Sequence, residues 1–243
     1  SAKRAPEVQV AHTVDEVAWE TIYNIRSYAY SGDEEFLRKG RQKLAEVKEH
    51  LKEADDLAKR FSDLVALRQG ALQARDKVGE YEALVDQTEA AHKNIDTQRS
   101  TLNAVAKTYM QQCRALLTSE QQQLNAEVDE KVDPAKLKER LTKIGMIAEL
   151  IEVGLTIQLN NFKAQAAGDI EVQRNTLKDF AALEKAIANL IPVIRQEKNV
   201  ELLSRIREDA DSYKTAMEQI LNSQVAIEEH NRKRGFVADG VVA

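Results

Sequence analysis

The sequence is short of the residues that interrupt or staple a chain: three prolines, nine glycines and one cysteine in 243 residues. The lone cysteine, Cys113, excludes an internal disulfide and by itself fits a reducing cytosol as well as an oxidising periplasm. No run approaches the roughly 20 apolar residues that cross a bilayer, and no signal peptide is present. Positive charge is in slight deficit, with 35 Lys and Arg against 40 Asp and Glu. The formal charge is −5 and the pI near 5.6, and the basic residues are spread out and form no stripe, so nucleic acid is not an expected partner. The chain starts at Ser1 without a methionine, as an excised piece of something longer would.

What is present points one way. With 43% apolar and 31% charged residues the chain is neither disordered nor embedded in a membrane, and its length suffices for one large core or two small ones. Ala, Leu, Glu, Lys and Gln abound, the residues that lose least on entering a helix. The composition predicts an all-α fold.

Hydrophobic residues spaced alternately three and four apart keep one stripe of a helix facing a partner. Such a seam runs from Leu64 through Leu67, Ala71, Ala74, Val78, Tyr81, Val85, Thr88, His92, Ile95, Arg99, Leu102, Ala106, Tyr109 and Cys113 to Leu116. It predicts one unbroken helix about 80 Å long at 1.5 Å per residue, too long for one compact domain. Before it, Leu37, Gly40, Leu44, Val47, Leu51, Ala54 and Ala58 mark a shorter helix, itself preceded by one ending at Ser31-Gly32-Asp33. Gly32 suits the left-handed position after a helix end and Asp33 the next N-cap.

The same grammar returns 136 residues later. Asp133 caps and Pro134 opens a helix, whose seam reads Leu137, Leu141, Ile144, Ala148, Ile151, Leu155 and Phe162 and stops at Ala167-Gly168-Asp169. A return helix uses Phe180, Leu183, Ile187 and Leu190 and ends at Pro192. The last helix starts near Val200, with Leu203, Ile206, Ala210, Tyr213, Met217, Ile220, Gln224 and Ile227 in its seam. The order is short, short, long, short, short, long. Each hairpin needs two more helices to close a four-helix core, and the two long helices supply them. The expected architecture is two stacked four-helix bundles built from six helices.

This arrangement, with the style of NIRSYAYSGD at 24–33 and NNFKAQAAGD at 160–169, resembles the helical bimodular sensor domain of bacterial chemoreceptors and sensor histidine kinases. The resemblance implies a periplasmic domain of an inner-membrane protein, flanked by transmembrane helices not included here. It implies a homodimer, and small carboxylate ligands held largely by arginines inside one or both modules. On that reading a membrane-proximal module takes about 8–87 and 224–243 and a membrane-distal one about 88–223. The charged tail His230-Asn231-Arg232-Lys233-Arg234, followed by Gly235 and apolar residues, falls where a second membrane helix would be approached.

Two clusters are candidate ligand sites. Arg26 shares a stripe with Trp19, Tyr23 and Tyr30, and counting from the hairpin tip sets it level with Val78, Tyr81 and Gln224 and within reach of Arg75. A guanidinium fork among tyrosine hydroxyls and an amide suits a carboxylate. The alternative is an arginine that snorkels to a surface glutamate. The family's dicarboxylate receptors present more than one arginine on this part of the first helix. Arg26 stands alone there, which leaves monocarboxylates and amino acids open. The distal candidate is Arg99 with Tyr213 and Thr156, its alternative an ion pair with Glu152.

The remaining chemistry is sparse. Glu89 and His92 form a Glu-x-x-His pattern of the kind that holds metal in ferritin-like bundles, but no second copy exists, so no metal or other cofactor is expected. Thr88 and His92 read as polar residues at the junction between modules, and Cys113 as a small core residue. No phosphate loop, nucleophile elbow or kinase signature occurs. An enzyme is not expected.

Overall fold

The computed structural model describes residues 4–61 and 64–240; the last apolar residues of the tail, Val241 and Val242, lie outside them. Among the described residues the chain is all-α. Its helices are α1 (Arg4–Ser31), α2 (Glu34–Arg60), α3 (Val65–Asp129), α4 (Pro134–Ala167), α5 (Ile170–Lys178), α6 (Phe180–Leu190) and α7 (Glu197–Asp239). The long seam forms one continuous helix of 65 residues. The return helix expected before Pro192 is divided into α5 and α6 at Asp179, whose N–H turns back to the Thr176 carbonyl in a tight i to i−3 bond.

Both Gly-Asp tips do what their chemistry dictates. Gly32 and Gly168 take φ of +68° and +64°, where a side chain is penalised. Asp33 then accepts from the Glu35 N–H and Asp169 from the Val172 N–H, so each starts the next helix.

The chain divides into two compact units, Ser1–Lys93 with Val225–Ala243, and Asn94–Gln224. In the first, four helical segments share one core: Val17, Ile25 and Tyr28 of α1, Leu44, Val47 and Leu51 of α2, Val78, Tyr81 and Val85 of α3, and Ala238 of α7. Each fully buried aliphatic side chain contributes about 1.5–3 kcal/mol. In the second, buried polar bonds tie helix to helix. The Tyr109 hydroxyl of α3 donates to the Leu150 carbonyl of α4 at 3.0 Å. Asn161 of α4 donates to the Tyr213 hydroxyl of α7 at 3.0 Å, and Gln173 of α5 to the Met217 carbonyl at 3.3 Å.

Two faces differ from the sequence reading. On α4 the buried positions are Lys143, Ile147, Leu150, Gly154, Ile157, Asn161 and Ala164, while Leu141, Leu155 and Phe162 point outward, Phe162 with 71% of its surface exposed. The helix is apolar nearly all round, so its core side goes to whichever face accommodates close approach, here the one carrying Gly154. On α1 the core takes Val14, Val17, Ala18, Thr21, Ile25 and Tyr28, and Trp19, Tyr23 and Tyr30 are exposed. Arg26 shares that outer stripe and does not face the core.

Candidate ligand-binding site

The first unit contains a cleft of about 510 Å³ lined by Ile22, Arg26 and Tyr30 of α1, Tyr81 of α3, and Glu228, Asn231, Arg232, Arg234 and Gly235 of α7. That volume lies within the range of small-molecule sites. Arg26 sits at its exposed rim, its guanidinium carbon 6.0 Å from the centre of the Tyr30 ring. Tyr81 is buried, which pushes its hydroxyl up to about 12 against the opposing influence of Arg234. The hydroxyl makes no hydrogen bond among the described residues.

Arg234 is the residue that sequence reasoning missed. Only 3% of its surface is exposed, and all its acceptors are neutral: the Thr88 hydroxyl, the Asn231 side-chain oxygen, and the Leu84 carbonyl at 3.2 Å. Burial holds its pKa below the usual arginine value. A buried guanidinium without a carboxylate is costly, and this one stands on the cleft wall. The signal was in the seam: continuing Ile220, Gln224, Ile227 by four and three residues reaches Asn231, Arg234 and Ala238. His230 lies beside this cluster, its Nδ1 3.5 Å from the Thr88 hydroxyl, and burial together with Arg234 lowers its pKa. Thr88, expected at a junction between modules, is thus the hydroxyl acceptor for Arg234 inside the first unit.

The other expected members of this site fall elsewhere. Trp19 and Tyr23 are exposed and do not line the cleft, and Arg75 is an exposed residue whose charge is felt by Asp55. Gln224 belongs to the second unit. The α7 residues opposite Arg26 lie one to three turns further on, because α7 continues its seam to Ala238. Arg26 is the one arginine that α1 brings to this cleft, and α7 adds Arg232 and Arg234.

In the second unit a cleft of about 440 Å³ is lined by Arg99, Leu102, Asn103, Ala106, Gln158, Asn161, Phe162, Gln165, Ala166 and Tyr213. It contains Arg99 and Tyr213 but not Thr156, whose exposed hydroxyl donates to its own helix at the Glu152 carbonyl. Arg99 is exposed; it donates to the Gln165 side-chain oxygen at 3.1 Å and pairs with Asp96 at 3.5 Å, not with Glu152. A relay runs from Arg99 through Gln165 and Asn161 to Tyr213.

Other candidates take structural places. Glu89 pairs with Arg41 and Lys93, the His92 ring packs 4.9 Å from that of Tyr28, and among the described residues no three His, Cys, Asp or Glu side chains group as a metal site. Cys113 is buried and its thiol is pushed up to about 12, a poor nucleophile. Among the described residues no helix is long and apolar enough to cross a membrane.

No family model matches the chain, and no curated protein matches it. A solved structure does: the crystal structure of the TorS sensor domain–TorT complex in the presence of TMAO contains a chain of the same fold, with a TM-score of 0.58 over 97% of this chain and 95% of that one. The identity is 14%. At that identity the likeness shows the fold alone, an all-helical one.

Proposed function

We propose that this chain is the extracytoplasmic sensing domain of a transmembrane receptor, binding a small organic acid in the cleft between α1, α3 and α7. The observation that carries the reading is Arg234, a buried cation whose acceptors are all neutral, on the wall of a cleft that Arg26 and Arg232 also line. Ligand contacts spanning α1 and α7 would favour one position of α7, and the domain transmits only the ligand's differential affinity for two such positions. The output is that of a chemoreceptor, with a sensor histidine kinase as the alternative; sequence beyond Ala243 decides between them. The exposed Trp19 and Tyr23 of α1, which lie outside the cleft, suit a homodimer contact.

The test is thermal: ligand at 100 times its Kd contributes about 2.7 kcal/mol of stability. A panel of organic acids and amino acids should raise the melting temperature of wild type, and Arg26→Ala, on the exposed rim, should abolish the rise without lowering the unliganded midpoint. Silence across the panel would refute the reading.

A second reading has its own support. The solved TorS sensor domain is in complex with TorT, and α4 of this chain exposes Leu155, Leu159 and Phe162. On this reading a partner protein docks there and carries the signal. A partner recovered with wild type and lost with Phe162→Asp, while the acid panel stays silent, would establish it.

A further inference from the structure

Resting on the carboxylate reading above, we infer that the α7 cleft selects an acidic amino acid over the matching plain dicarboxylate, with Glu228 receiving the ammonium group. The cleft brings together four ionic side chains, Arg26, Arg232, Arg234 and Glu228. None of them is ion-paired among the described residues. This departs from the chain's habit. On the same helix, Glu201–Arg205 and Glu229–Lys233 close i,i+4 pairs at 2.5 and 2.6 Å. Glu228 and Arg232 have that spacing, in the favourable order of acid before base, and stay apart.

The unpaired groups describe their complement. Two or more guanidinium groups from opposite walls call for more than one carboxylate, because each offers paired donors to a planar anion. A carboxylate left open among them repels a second anion and accepts from a cation. The positions of Glu228 and Arg234 are six residues apart, about 9 Å along the helix axis. A ligand that spans these two positions carries its cationic nitrogen several bonds from one of its acid groups. A side-chain carboxylate at Arg234, an α-carboxylate at Arg232 and Arg26, and an α-ammonium at Glu228 meet these demands together.

Titration calorimetry on the 243-residue chain with L-glutamate and glutarate, which differ only in the ammonium group, tests this. Wild type should bind L-glutamate about tenfold more tightly than glutarate, the scale of one hydrogen bond to a charged group. Glu228→Gln, a substitution at an exposed position, should erase the preference by weakening L-glutamate while leaving glutarate unchanged or tighter. Glutarate binding as well as L-glutamate to wild type, or Glu228→Gln weakening both alike, would overturn the assignment while leaving an acid site in place. Failure of every acid to bind would overturn the acid site itself, and this inference with it.

Discussion

The backbone of Gly154 lies so close to Tyr109 that a Cβ at position 154 would sit 2.6 Å from both the ring edge and the hydroxyl oxygen. The same hydroxyl bridges α3 to α4 through the Leu150 carbonyl. Gly154→Ala should force the ring aside and break that bond. A loss of about 1–3 kcal/mol is expected from overpacking, read as a lowered urea midpoint. Tyr109→Phe alone should cost about 1 kcal/mol. The double variant should lose less than the sum, since both act on one contact; strict additivity would show that the two residues are independent.

The two hairpin tips permit a comparison within one molecule. Gly168 has φ of +64° and open space around it, whereas a Cβ on Gly32, at +68°, would come within 3.2 Å of the His92 ring. Gly168→Ala should therefore cost only the left-handed strain, about 1–2 kcal/mol. Gly32→Ala should cost more. Equal losses in thermal unfolding would mean that the His92 ring yields freely.

How much of this was legible beforehand depends on how unequal the faces of each helix are. The α2 seam was read without error, from Leu37 to Ala58, because only one side of that helix is apolar. The long seam of α3, apart from Arg99, which lies exposed, and most of that of α7 are equally plain. On α4, Ile, Leu and Val occur on several sides, and periodicity cannot say which side meets Gly154 and Asn161. On α1 the aromatic residues drew the seam to Trp19 and Tyr30, although the smaller Val14, Ala18 and Thr21 pack inside. Arg26 and Tyr81 were placed at one site by counting turns from the tip. Arg234 was overlooked because a charged tail reads as solvated, whereas this guanidinium finds three acceptors inside the first unit.

His230 gives the first unit a pH dependence. Burial and the neighbouring Arg234 lower its pKa in the folded chain, so the unfolded chain holds the proton more tightly and stability rises with pH across the window. The contribution of neutral His230 is complete above the unfolded value near 6.5 and is lost as pH falls through that value to the folded one. Melting temperatures between pH 8 and pH 5 should decline more steeply for wild type than for His230→Gln. Parallel curves would assign the slope to other groups.

The second unit buries an ionic cluster whose failure modes can be told apart. Glu120, with 3% of its side chain exposed, is held by Arg140 and by the Asn199 amide at 2.8 Å, and Arg140 reaches Glu127 at 2.6 Å as well. Arg140→Met leaves the Glu120 carboxylate buried with only an amide, and breaking such a pair from one side costs about 3–5 kcal/mol. Adding Glu120→Gln removes the stranded charge while keeping an acceptor for Asn199. The double variant should thus recover most of the loss, because the net worth of a buried pair is small even when the cost of halving it is large. Denaturation midpoints of the two single variants and the double variant decide this. A double variant as unstable as Arg140→Met would mean that Arg140 contributes through its packing and its bond to Glu127, not by neutralising Glu120.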